Sequence, residues 1–335
     1  MEFTRFDETQ ASDSDFEQAA AFLAELDAAD RPLWPSRSGP ELAYALRTGT
    51  AKGDFAQLWF GGDGGTKEAA GFLQLPAREN TQTALIEIRI RPDRRRRGIA
   101  TDFLRILIEA ARAEGRTRVI GSAASHSSGE FWGAGLGFRP TLRYVQQILI
   151  LAEVDQTLWS VPVPDGYRLE SWTDTAPESL LASYVVARQA MDDAVSGDLR
   201  WDEPQWTPAR VREEEARNAE AGRESRAVVA VEEATGEVAA ITIVTIGAAR
   251  PTVVQQLDTA VRREHRGHGL GLAVKAAQLR TLVAERPAAR QVMTQTADLD
   301  HMASINRVLG FRTLADSVYI EAEIADVEKA LGSDS

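Results

Sequence analysis

Apolar residues along this chain alternate with polar ones in some stretches and recur every three or four positions in others, and the two periods divide the sequence into strands and helices. Glu2 to Phe6 alternates as a short strand. Asp13-Ser14-Asp15 then predicts the cap of a helix whose apolar face is Phe16, Ala19, Ala20, Leu23 and Leu26. A loop is expected from Asp27 to Pro40, with Trp34 between two prolines. Leu58 to Phe60, a Gly-Asp-Gly-Gly turn at 62 to 65, and Ala69 to Leu75 read as a hairpin. Ala84 to Ile90 alternates strictly enough for a strand with one apolar face. Phe103, Leu104, Leu107, Ile108 and Ala111 then mark a helix from Thr101 to Glu114. Val119-Ile120 is a strand core, Gly129 to Ala134 a short helix before Leu136-Gly137-Phe138, and Tyr144 to Leu151 a last strand.

The same order then recurs. After a linker and turn at Pro162 to Gly166, Tyr167 to Trp172 restarts as a strand, and helical segments with a charged loop cover Glu178 to Ala221. Ala227 to Val231 and Val238 to Ile246 form a hairpin turning at Thr235-Gly236. Val253 to Val261 is a strand, Leu272 to Glu285 an amphipathic helix ended by Pro287, Val292 to Thr294 a strand, and a short helix reaches Leu309-Gly310-Phe311. Side by side, Ile90 matches Val261, Arg95 matches Arg266, Gly98 matches Gly269, Ala100 matches Gly271, and the two Leu-Gly-Phe runs coincide. Two divergent copies of one domain account for this, placed at residues 1–153 and 165–330 with a linker at 154–164.

Composition changes the picture in three ways. The 335 residues contain no cysteine, which removes disulfides, thiolate metal sites and a cysteine nucleophile. No apolar run reaches the roughly 18 residues of a membrane helix, and the acidic start of the chain lacks the order of a secretion signal, so a cytoplasmic monomer or homodimer with no membrane partner is expected. The net charge of −12 repels polyanions and attracts cations, which argues against nucleic acid and for a small amine. Lysine occurs at only four positions: Lys52, Lys67, Lys275 and Lys329.

Candidate chemistry concentrates where each copy passes from strand to helix. In Val261 to Gly271, three glycines let successive N–H groups point into one concavity at the positive end of a helix dipole, beside Arg266; that arrangement suits phosphate. Ile90 to Ala100 repeats it with Arg94 to Arg97. A nucleic-acid patch is disfavoured by the net charge, and a dinucleotide fingerprint by the glycine spacing. His265 and His268 are three apart with no evident third ligand, so no metal is expected. His126, after the fifth strand of the first copy, reads as a loop histidine before a base.

Arg95-Arg96-Arg97-Gly98-Ile99-Ala100 and Arg266-Gly267-His268-Gly269-Leu270-Gly271 resemble the pyrophosphate loop of the GCN5-related N-acetyltransferases, and Leu-Gly-Phe resembles the element that follows that family's last helix. The resemblance spans the chain, with a double-domain layout similar to mycothiol synthase and other actinobacterial tandem acyltransferases. It implies an α+β fold of two domains, each a mixed, mostly antiparallel twisted sheet with splayed fourth and fifth strands flanked by helices. Acetyl-CoA or another acyl-CoA is the implied co-substrate. Its pantetheine arm would pair with the fourth-strand edges at Glu87 to Ile90, including Ile88 and Ile90, and at Asp258 to Val261, including Ala260 and Val261. Its pyrophosphate would sit on Arg95, Arg96, Arg97, Gly98, Ile99 and Ala100 in one copy and on Arg266, Gly267, His268, Gly269, Leu270 and Gly271 in the other.

Acylation needs a deprotonated amine, and Glu87 and Asp258, each eight positions before its loop arginine, are the candidate bases; the other reading is a carboxylate that orients substrate or pairs with an arginine such as Arg89. Where many relatives carry an acidic tyrosine, five residues before the closing phenylalanine, this chain has Gly133 and Asn306. Asn306 is a candidate partner of the CoA sulfur, and Tyr144 and Tyr319 in the following strands are substitutes for the acid. The amine is expected in the loop from Met191 to Trp206, where Asp192, Asp193 and Asp198 interleave with Trp201 and Trp206; Asp27, Asp30 and Trp34 form a sparser version in the first copy. A solvated acidic loop is the competing reading. The expected activity is acetyl transfer to a primary amine of a small molecule, an antibiotic or another specialised metabolite, with the second copy as principal site. The alternatives are a non-catalytic acyl-CoA sensor, favoured by the absent tyrosines, a protein N-acetyltransferase, and transfer from aminoacyl-tRNA, which the acidic charge disfavours.

Overall fold

The computed structural model describes residues 1–48, 55–193, 196–297 and 299–332. Elements of the first copy run β1 (Glu2–Arg5), α1 (Asp13–Asp30), α2 (Gly39–Thr48), β2 (Phe55–Asp63), β3 (Thr66–Leu75), β4 (Thr83–Ile90), α3 (Ile99–Ala113), β5 (Arg118–Ala124), α4 (Ser128–Gly135) and β6 (Arg139–Ile150). The second follows as β7 (Tyr167–Thr173), α5 (Glu178–Gln189), α6 (Pro208–Glu220), β8 (Arg223–Glu232), β9 (Val238–Gly247), β10 (Val253–Val261), α7 (Leu270–Glu285), β11 (Gln291–Thr296), α8 (Met302–Val308), β12 (Arg312–Glu323) and α9 (Ile324–Gly332).

Local chemistry explains where several of these begin. Ser12, one residue before the expected cap, accepts from the Asp15 N–H while the Asp15 carboxylate bonds back to the Ser12 N–H, closing a capping box on α1. Helix α2, which apolar spacing had not marked, starts where the Ser38 N–H and hydroxyl both bond Glu41. Helix α3 carries a clean stripe, Phe103, Leu104, Leu107, Ile108 and Ala111. It lies so close to β3 that a Cβ on Gly71 would stand 2.7 Å from the Phe103 ring. Helix α7 departs from the expected amphipathic run: Leu270, Gly271 and every residue from Ala273 to Leu279 are buried.

The two compact units do not divide at the linker. One comprises residues 1–143, 197–202 and 317–335, the other 144–196 and 203–316. The first holds a sheet in the order β1-β2-β3-β4-β5-β12, antiparallel except where β4 meets β5. The second holds β7-β8-β9-β10-β11-β6, parallel only between β10 and β11. Each unit therefore takes its last strand from the other half of the chain: β12 pairs with β5 from Ser317↔Ala124 to Glu323↔Arg118, and β6 pairs with β11 from Thr296↔Val145 to Gln291↔Ile150. This exchange replaces the expected split at 153 and 165. The pattern of β6 and β12 is alike, so alternation announces both strands without saying which neighbour either will join.

Helices cover both faces of the first sheet. Phe16, Leu23 and Leu42 pack on Leu58 and Ala70, while Phe103 and Leu107 pack on the other face with Leu73, Val119, Val318 and Val327. Pairing of β4 with β5 runs only from Thr83↔Arg118 to Leu85↔Ile120, after which the strands part. Pairing of β10 with β11 likewise stops at Gln255↔Met293. The expected splayed pair is present in each unit.

Candidate functional site

Both strand-to-helix loops have one geometry. A single turn of 3-10 helix, at Pro92–Arg94 and Arg263–His265, leads to a left-handed residue at the helix cap, Gly98 with φ 79° and Gly269 with φ 79°. Two residues earlier the backbone is left-handed again: Gly267 takes φ 84°, and its counterpart Arg96 adopts φ 63° at a cost an L-residue rarely accepts. Alternating hand turns successive amides toward one side, at the N-terminus of a helix of 15 or 16 residues. A Cβ on Gly98, Gly267 or Gly269 would meet nothing within 4 Å, so the concavity is open.

The loop arginines are equivalent down to their partners. Arg95 Nε donates to the Ile90 carbonyl at 3.0 Å and Arg266 Nε to the Val261 carbonyl at 3.1 Å. Their outer nitrogens bond Asp30 at 2.7 Å and Asp193 at 2.8 Å, Asp193 also accepting from Arg263 at 2.7 Å. Those bonds from Arg263 and Arg266 hold Asp193 below the usual carboxylate range. Arg97 donates to the Asp93 carbonyl and Arg94 pairs with Glu68, whereas Arg96 has no ion-pair partner among the described residues.

In the first unit this loop opens into a cavity of about 940 Å³. Ile86, Ile88 and Ile90 line one wall along the stretch of β4 that has parted from β5. Gly98 to Thr101 and Leu104 line the floor, and Gly121 to Ala124, Phe138 and Ile320 the far wall. Of the expected loop and edge residues of this copy, all but Glu87 and Arg97 contribute to it. Trp132 Nε1 bonds Thr101 Oγ1 at 3.1 Å and fixes α4 against the first turn of α3. Ser122, Ser127, Ser128 and Phe131 also line the cavity and were not singled out from sequence. The run of small polar residues after β5 was their signal, and it carries no motif.

The carboxylates of the fourth strands are paired. Glu87 accepts from Arg89 at 2.9 Å and Arg31 at 3.0 Å, in a cluster where Asp27 also binds both arginines. Desolvation pushes the Glu87 carboxyl up, but Arg89 and Arg31 outweigh it and hold it below its ordinary value. Glu87 is thus held as an anion between two arginines, the arrangement of the alternative reading in which it pairs with Arg89. Asp258 binds Arg188 at 3.1 Å, the buried arginine that also pairs with Glu214.

The expected amine loop comes apart. Trp206 does hold a cation, but it is the protein's own Arg188, 3.4 Å from the ring centroid, as Arg31 lies 5.7 Å from Trp34 in the first unit. Asp192 accepts from Gln189. Asp198 and Trp201 lie in the segment 197–202 that belongs to the first unit, where the Asp198 N–H bonds the Thr141 carbonyl. Residues 194 and 195 of this loop lie outside the described residues. The five residues divide between the units, Asp198 and Trp201 in the first and Asp192, Asp193 and Trp206 in the second.

Asn306 is buried and its Nδ2 donates to Gln147 Oε1 at 2.7 Å. Only the acceptor Oδ1 is left without a partner, and an acceptor cannot protonate a thiolate. Tyr319 sits in the first unit through β12, on the opposite face from the cavity-lining Ile320, with its carbonyl accepting from Thr141 Oγ1. Asn306 thus holds the tyrosine position without an acidic proton, and Tyr319 belongs to the other unit. His265 is buried against the Tyr167 hydroxyl at 3.0 Å, and His268 Nδ1 lies 3.2 Å from the His265 carbonyl. Among the described residues there is no group of three or more potential metal ligands, and no helix is long and apolar enough to cross a membrane.

Residues 20–138 match the model of the acetyltransferase (GNAT) family. Among solved structures, the chain is similar to a tandem GNAT protein from the clavulanic acid biosynthesis pathway, at 27% identity and a TM-score of 0.77 over 96% of this chain and 98% of that one. A GCN5-related N-acetyltransferase from Sphaerobacter thermophilus shares the fold at 17% identity and a TM-score of 0.70, covering 96% of each chain. No curated protein matches the sequence.

Proposed function

This chain is a tandem protein of the GCN5-related N-acetyltransferase family, and from that premise we propose that it transfers an acetyl group from acetyl-CoA to a primary amine of a small molecule, with the first unit as the principal site. The observation that carries this reading is the cavity of about 940 Å³ that begins at the open loop before α3 and follows the unpaired edge of β4. The loop suits a pyrophosphate: two left-handed residues at 96 and 98 expose amides to one side, Arg96 stands unpaired beside them, and no atom obstructs the concavity. The parted edge from Ile86 to Ile90 suits a pantetheine arm, whose amides would bond the free backbone groups there.

Assigning the site to the first unit reverses the expectation from glycine content. In the second unit the corresponding interior positions carry Lys275, Gln278, Gln147 and Asn306, where the first has Leu104, Leu107, Ile320 and Gly133. Apolar walls exclude water from a thioester; that favours the first unit.

Glu87 offsets the charge of Arg31 and Arg89 at the parted strand, so that these arginines do not repel an ammonium from the cleft. The amine attacks in its neutral form: the N–C bond forms, the C–S bond breaks, and the amine proton leaves to water. CoA thiolate departs without a dedicated acid, which agrees with Gly133 at the position of the usual tyrosine. The similar tandem protein of clavulanic acid biosynthesis supports a specialised metabolite as acceptor. Incubation with acetyl-CoA and a panel of small amines, reading free thiol, should reveal amine-dependent release. Binding of acetyl-CoA with no release for any amine would favour a sensor, and acetylation of protein amines in place of small ones would move the substrate class.

A further inference from the structure

Lys275 is 2% exposed and lies in the interior of the second unit with no acidic partner. Its environment has been rebuilt from apolar to polar. Copy for copy, Leu104 becomes Lys275, Leu107 becomes Gln278, Ile320 becomes Gln147 and Gly133 becomes Asn306. In the first unit these residues form one packed group: Leu104, Leu107 and Ile320 share a core with Phe138, and a Cβ on Gly133 would touch Ile320. In the second, Lys275 Nζ lies 5.7 Å from the Phe311 ring, the Phe311 N–H bonds the Asn306 carbonyl, and Asn306 bonds Gln147.

Four polar atoms of this group have no partner: both amide atoms of Gln278, Gln147 Nε2 and Asn306 Oδ1. An isolated buried ammonium and four orphaned polar atoms are expensive, and packing alone would have kept the leucines. Position adds the second argument. Leu104 lines the first unit's cavity six residues after Gly98, and Lys275 stands six residues after Gly269, about 9 Å along its helix from the second phosphate loop.

We propose that Lys275 is an acyl acceptor, and that the second unit transfers the acyl group of an acyl-CoA held at its own loop onto the Lys275 amine. The inference rests on the acyl-CoA reading of the loops. Burial lowers the Lys275 amine from its ordinary 10.5 to about 7, so an unprotonated nucleophile is present at neutral pH. Nζ attacks the thioester carbonyl, the N–C bond forms, the C–S bond breaks, and the amine proton passes to the departing thiolate to give free CoA. The product amide is neutral, which removes the cost of a buried cation, and its N–H and carbonyl match the unpaired acceptors and donors of Asn306, Gln278 and Gln147.

The test uses the full-length protein with acetyl-CoA and no added amine. Intact mass and peptide mapping follow the four lysines while calorimetry measures acetyl-CoA binding in parallel. We expect one acetyl group per chain, at Lys275, forming about tenfold faster at pH 8 than at pH 6 as the amine deprotonates. Gly269→Glu should abolish it and Gly98→Glu should leave it intact. Acetyl-CoA binding to the Gly98→Glu protein with Lys275 unmodified would overturn the proposal, as would acetylation of exposed lysines at a rate that Gly269→Glu does not change. If no acetyl-CoA binds at either loop, the acyl-CoA reading fails and takes this one with it. Lys275 acetylation without turnover of any small amine would leave this proposal standing and remove only the small-molecule acceptor.

Discussion

Single residues decide whether each loop can hold a pyrophosphate. Gly98 is left-handed and its missing Cβ leaves the concavity open, so Gly98→Glu adds strain of about 1 kcal/mol and a negative charge where phosphates would sit. Calorimetry should show the affinity of the first unit for acetyl-CoA falling at least about 100-fold, with one weakened site per chain. Glu87 gives a different readout. Its folded value lies below the unfolded one near 4.3, so its stabilisation is present above about pH 4.3 and is lost as pH falls through the folded value. With 44% of the side chain exposed, solvent screening limits that contribution to about 1 kcal/mol or less. Glu87→Gln should flatten the acid limb of stability against pH, measured by urea unfolding, and raise KM for a cationic amine more than it lowers kcat. A collapse of kcat with KM unchanged would mark Glu87 as the base.

At the scale of elements, α3 and α7 occupy the same place in the two copies and meet different demands. Helix α3 shows one apolar stripe; α7 packs into two cores, with Leu270 and Val274 against β8 and β9 and Ala276, Leu279 and Leu282 against β10 and β11. Lys275 on that buried helix makes α7 less stable than its burial suggests. Because its folded value is about 7 against an unfolded 10.5, the penalty is full at pH 7 and below and fades as pH rises toward 10.5. Lys275→Leu, the residue that the first copy uses, should raise stability by roughly 3–5 kcal/mol at pH 7, with the gain shrinking at alkaline pH. Chemical denaturation at pH 7 and 10 checks both the size and the direction.

For the whole molecule, the exchanged strands make each unit depend on both halves of the chain. Val318, Ile320, Ala322, Ile324, Val327 and Leu331 all enter the first unit's core from the last 19 residues of the chain, 317–335. At roughly 1.5–3 kcal/mol for each larger apolar side chain, their loss is comparable to the whole net stability of an ordinary domain. A fragment ending at residue 153 should therefore fail to fold, as judged by circular dichroism and solubility, and should recover when residues 154–335 are supplied as a second chain. Independent folding of residues 1–153 would show that β6 can serve its own copy.

The local sequence determined the elements, their duplication and the two phosphate-type loops, because helical period, strand alternation and the glycines needed for left-handed backbone are properties of short stretches. It also marked the residues lining the first loop almost completely, from Arg95 to Ala100. Only the tertiary structure decided which carboxylates were already neutralised, since Arg31 with Glu87 and Arg188 with Asp258 are far apart in the chain and each pair reads as two free charges. It alone decided the partners of β6 and β12, whose alternation suits either sheet, and with them the unit in which Tyr319, Asp198 and Trp201 reside. Lys275 shows the division most clearly: its place in the sequence is that of an ordinary helix lysine, and its burial, with the Phe311 ring 5.7 Å from Nζ, is a property of the folded second unit.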